Sequence, residues 1–148
     1  MNIFRNLKKI NQKKFNYQTK LKTNQMKTLF ERLGGRIGIS KIVDDTVENH
    51  MNNAAVNARF LPLKKQPERL AIIKNHTIDF FAAGSGGPNN YKGKDMVSAH
   101  TGMNINPSEY MHVMDDIFMA LDKNNIDEDS KKDVLAILWS LKGMMIGK

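Results

Sequence analysis

The chain of 148 residues has no cysteine, which excludes a disulfide framework, a thiolate metal centre and a cysteine nucleophile together. It has no apolar run near the roughly 20 residues that a bilayer-crossing helix needs, so a soluble or peripheral protein is expected. It has no acidic residue before Glu31, although eight cations (Arg5, Lys8, Lys9, Lys13, Lys14, Lys20, Lys22 and Lys27) precede that point. Setting those 8 aside from the 23 Lys and Arg leaves 15 against 15 acidic residues, so the rest of the chain is neutral. The formal charge of +8 therefore sits on the tail, and the body lacks the basic patch that a nucleic-acid reader needs. Period-two alternation long enough for a strand is also missing. What remains is an all-α pattern, sized for one domain and one core.

The organisation is a basic extension over residues 1–27 followed by a domain over 28–148. The extension is rich in Asn and Lys, with sparse apolar residues at Phe4, Leu7, Ile10 and Phe15. Freedom from acids and spaced hydrophobes suit a targeting segment for an organelle, and the same composition suits a solvated tail or a docking arm for a protein partner. A mitochondrial or a cytoplasmic location follows from one or the other. In the domain, "LFERLGG" is a helical turn stopped by Gly34 and Gly35. Ile39, Ile42, Val43, Val47 and Met51 then form a helical stripe, with His50 on its edge. Pro67 suits a first helical turn, and Leu70, Ile73, Thr77, Phe80 and Phe81 follow on one face. "GSGGPNNYKGK", four glycines and a proline in eleven residues, interrupts the pattern. Asn106, Pro107 and Glu109 form a helix start, followed by Tyr110, Val113, Met114, Ile117, Phe118 and Leu121. A last helix carries Val134, Leu135, Leu138, Leu141 and Met145.

The long glycine-rich loop delivers the chain to His100 in "DMVSAHTGMNI". Loops of that length in a compact domain are usually functional or mobile. Imidazole is the commonest protein ligand for transition metals and the usual proximal ligand of haem. A hydrogen-bonded core histidine fits the same position, and spacing alone leaves both readings open. His112, with Glu109 and Asp116, is assigned to the polar face of its helix. The paired acids at Asp44 and Asp45, at Asp115 and Asp116, and in "DED" at 127–129 need no acid–base chemistry, because the last group opens a helix where negative charge is favourable.

"LFERLGG", "DFFAAGSGGPNNYKGKDMVSAHTGMNI" and the two closing helices resemble the group I truncated hemoglobins over residues 28–148. The resemblance implies a truncated globin-like two-over-two helical sandwich, haem b with its iron as cofactor, and His100 as the proximal metal ligand. It implies Phe60 as the aromatic against haem and Phe80 and Phe81 as pocket walls. The distal side departs from the family pattern: Val47 stands where a tyrosine is usual, Thr46 replaces the preceding Phe, and Ile73 and Thr77 stand where glutamine is frequent. Arg59 replaces a Phe beside Phe60. His76 occupies a position where some relatives supply a second axial imidazole. The function implied is reversible binding of dioxygen or another diatomic gas such as nitric oxide, with nitric oxide oxidation weakened by loss of the tyrosine. The alternative is an accessory subunit of a larger assembly with haem optional or lost.

Overall fold

The computed structural model describes residues 2–148, with the side chains of residues 2–4, 6, 7, 24 and 25 excepted. Phe4 and Leu7, two of the sparse apolar residues of the extension, thus lie outside the described side chains. The extension is a helix, α1 (Asn2–Gln25), rather than a coil. Its described side chains are exposed apart from half-buried Leu21.

The body is α2 (Leu29–Arg32), α3 (Gly35–Asn52), α4 (Asn57–Phe60), a 3-10 turn over Leu61–Lys65, α5 (Pro67–Gly84), α6 (Met96–His100), α7 (Pro107–Lys123) and α8 (Glu128–Met145). Caps explain most of the starts. Thr28 opens α2 and Asn106 opens α7 with complete capping boxes, in which Glu31 and Glu109 return the bond to the cap backbone. Pro67 begins α5, and Asp127 caps α8 through the Ser130 backbone N–H. Gly34 takes the left-handed conformation between α2 and α3, at φ 87°. A Cβ on Gly38 would run into the Leu33 carbonyl, so α3 leaves that turn only with glycine there.

The pair α3 and α5 packs over the pair α7 and α8, with the α3–α7 face the most extensive. Its core is Ile39, Ile42 and Val43 from α3, Ile78 and Ala82 from α5, Tyr110, Met114, Ile117, Ala120 and Leu121 from α7, and Val134 and Leu138 from α8. The Tyr110 hydroxyl donates to the Leu138 carbonyl at 2.5 Å, satisfying a buried polar group across that seam. The all-α, two-over-two architecture expected from the sequence is the one observed. Among the described residues the one β contact is an isolated bridge from Ile105 to Ile146.

Three details differ from the sequence reading. The core-facing side of α5 is Ile78 and Ala82, whereas Leu70, Thr77 and Phe80 are half-buried and Ile73 is 37 % exposed. Of the stripe chosen by periodicity, Phe81 packs against the core and the others are covered in part or less. Leu135 is 42 % exposed, because α8 buries the face that carries Val134 and Leu138, one turn apart. Asp116 is buried and hydrogen-bonded rather than on the polar face, and His112 is half-buried.

Candidate functional site

His100 closes α6, a five-residue helix whose N-terminus is held by Asp95, which accepts from the Ser98 N–H at 2.9 Å and the Ser98 hydroxyl at 2.6 Å. The half-buried imidazole donates its Nδ1 proton to the Met96 carbonyl at 2.7 Å. That bond fixes the tautomer and leaves the Nε2 lone pair free, which is what an axial metal ligand requires. Among the described residues, no three His, Asp or Glu cluster to hold a metal ion. A single imidazole therefore suits an iron whose other ligands come with it, as in a porphyrin, and the donor set fits haem on that ground.

The chain after His100 is tied on two sides. Arg59 donates from Nη1 to the Met103 carbonyl at 3.0 Å and grips Glu109 with Nε and Nη2, at 2.8 and 3.0 Å. The guanidinium holds the Glu109 carboxyl below its ordinary range, an effect shared with the Asn106 backbone N–H. Asn104, at φ 48°, donates from its backbone to the Lys148 carbonyl at 2.7 Å, and Gly147 donates to the Ile105 carbonyl at 2.9 Å. Arg59 thus joins the segment carrying Phe60, the start of α7 and the turn that follows His100.

The aromatic residues assigned to the pocket form two separate groups. Phe80 meets Phe81 edge-on at 6.4 Å and Tyr91 at 5.4 Å, and His76 also meets Tyr91 edge-on, at 6.0 Å. The Tyr91 hydroxyl donates to the Lys94 carbonyl at 2.6 Å, and burial pushes its phenol up. This ties the glycine loop to α5. Phe60 instead stacks on His50, with centroids 4.4 Å apart and planes at 26°. His50 is buried, and its Nδ1 lies 2.8 Å from Asp116 Oδ2. Asn53 donates to both oxygens of that carboxylate at 3.0 and 3.1 Å, and Asn49 to the Asp116 carbonyl at 2.9 Å. Burial pushes His50 below the usual imidazole range, while the Asp116 carboxylate opposes that shift without cancelling it. His50 is therefore a neutral prop behind Phe60.

Val47 lines a cleft of about 420 Å³ between α3, α5 and the turn that joins α4 to α5, with Met51 and Leu70 beside it and Asp44, Glu48, Lys64 and Lys74 among its charged lining. His100 is not among its walls. Of the distal candidates, the Val47 and Ile73 side chains have no polar group, the Thr77 hydroxyl donates to the Ile73 carbonyl at 2.9 Å, and His76 is exposed, edge-on to Tyr91. The roles of Asp116, Arg59 and Tyr91 as props were not read from sequence. Their partners lie far along the chain, except Lys94, and an ordinary capping glutamate was the sole sign at Glu109.

Comparison with known proteins agrees with this architecture. The model of the bacterial-like globin family matches residues 28–146. A group 1 truncated hemoglobin of Tetrahymena thermophila is 26 % identical over 130 residues, covering 82 % of this chain and 96 % of that protein. The group 1 truncated hemoglobin GlbN of Nostoc sp. is 23 % identical over 123 residues, covering 83 % of this chain and all of that protein. The Fe(III) crystal structure of truncated hemoglobin from Tetrahymena pyriformis superposes with a TM-score of 0.73 at 23 % identity, covering 82 % of this chain and all of that one. The chain therefore belongs to the bacterial-like globin family, with the group I truncated globin pattern. Membership implies haem-based binding of diatomic gases, and sets that reading ahead of an accessory subunit that has lost haem.

Proposed function

We propose that the chain binds haem b through His100 Nε2 and reversibly binds a diatomic gas beside Val47, Ile73 and Thr77, holding dioxygen weakly and nitric oxide or carbon monoxide with less penalty. The observation that carries this reading is the Nδ1 bond to Met96, which engages one ring nitrogen and leaves Nε2 as the donor atom. Haem, if bound, would supply the iron that takes the gas, and His100 would hold it. The chain supplies the rest. His100 fixes the donor nitrogen, Phe60 is braced from behind by His50, and Phe80 and Phe81 offer apolar surface. Dioxygen needs a hydrogen bond more than the other two gases, because it draws more negative charge on binding; such a bond is worth about 1 kcal/mol or more. Neither Val47 nor Ile73 can donate one, and Thr77 spends its proton on Ile73.

Reconstitution with haem tests the reading. Wild type is expected to show a strong Soret band that His100→Ala abolishes or displaces, and Val47→Tyr to slow dioxygen release by about fivefold. A wild-type protein that takes up no haem overturns the proposal, and an unchanged release rate in Val47→Tyr overturns the account of the distal side.

A further inference from the structure

We propose that α1 is a membrane-surface helix: it lies on an anionic bilayer with Ile10, Tyr17 and Leu21 in the interface and its cations on the headgroups, holding the gas-binding body at that surface. At 100° per residue, positions 10, 17 and 21 fall within a narrow stripe. Arg5, Lys8, Lys9, Lys13 and Lys20 fall outside that stripe, and Lys14 at its edge has a stem long enough to lift its ammonium out of an apolar layer.

Two of the three are uncovered, Ile10 being 50 % exposed and Tyr17 62 %, while Leu21 is half-buried. Several of the body's acids are engaged within the body. Asp44, Asp45, Asp79 and Asp133 are already paired with Lys74, Lys123, Arg36 and Arg32. The helix is rich in Asn and Thr, weak helix formers, and a solitary helix of such composition is marginal in water. An apolar layer under the stripe supplies the missing stabilisation, and an anionic one also matches seven cations with no acid in 24 residues. Among the described residues no helix is long and apolar enough to cross a membrane, so α1 rests in the plane of the surface. Charge alone would equally suit nucleic acid, but phosphate contacts need no apolar stripe.

Co-sedimentation of the full chain with vesicles tests the assignment. Phosphatidylcholine vesicles containing phosphatidylserine are expected to bind it, and pure phosphatidylcholine vesicles to bind it far less. Ile10→Asn with Tyr17→Asn keeps every cation and is expected to weaken binding about tenfold. Lys8→Gln, Lys9→Gln and Lys13→Gln together keep the stripe and are expected to weaken it about a hundredfold. All substitutions lie outside the core, so an unchanged thermal transition certifies that each variant is folded. Failure of wild type to bind the anionic vesicles overturns the proposal. So does undiminished binding by the Asn pair, or a duplex DNA that displaces the chain from vesicles at equal phosphate concentration.

Discussion

Helices α1 and α7 both carry apolar residues at helical spacing, yet they end in opposite environments. In α7, Tyr110, Met114, Ile117 and Leu121 are buried under α3 and α8, and Ala120 and Leu121 are sealed almost completely. In α1, Ile10 and Tyr17 stand in solvent. The charge differs in parallel: acids and cations balance in the body, where several are paired, while α1 has cations alone. An apolar stripe makes a core only where a second layer meets it, and the layer that meets α7 belongs to the same chain.

That contrast can be broken at its strongest point by emptying the sealed layer. Leu121→Ala is expected to cost about 2 to 5 kcal/mol, read as a lowered midpoint in urea. A cost below about 1 kcal/mol would mean that the α3–α7 seam is looser than its burial indicates.

The buried polar cluster gives a smaller effect with a defined sign. His50 has a folded-state value below its unfolded one near 6.5, so the unfolded chain binds the extra proton as pH falls. Its contribution is constant above about pH 6.5 and is lost on acidification below that, with a slope of up to about 1.4 kcal/mol per pH unit. Thermal melts from about pH 7.5 down to 5.5 are expected to show this loss, and His50→Gln to flatten it. An equally steep loss in the variant would assign the titration to another group.

Removing residues 1–26 is expected to change least. The body should keep its midpoint within about 0.5 kcal/mol, because among the described residues none from α1 belongs to the core. A larger drop on deletion would show that α1 braces the body in water, and the contrast between the two regions would then fail.

The parts of the fold that were legible in the sequence are those set by neighbours along the chain. The capping box of Asn106 and Glu109, the proline at the start of α5 and the glycine stop after α2 each lie within a few residues of what they control. The α5 stripe was half legible: periodicity found a face, but which face met protein depended on α3 and α7. The candidate site divides similarly. His100 stands out because its loop leads to it, whereas His50 and Asp116 are 66 residues apart, and Arg59 and Glu109 are 50 apart. Neither pairing leaves a local trace. Asp116 was read as a surface acid because a helix position three or four places from polar residues normally is one.

The turn that follows His100 is fastened by Arg59 on one side and by Gly147 and Lys148 on the other. The imidazole is thus referenced to its own five-residue helix through Met96 and, through the turn, to two distant parts of the fold as well. A small displacement of the chain's last residues, or of the segment bearing Phe60, would be transmitted as a tilt of the ring, so the aim of its Nε2 is set remotely, like the pitch of a string fixed by pegs at either end.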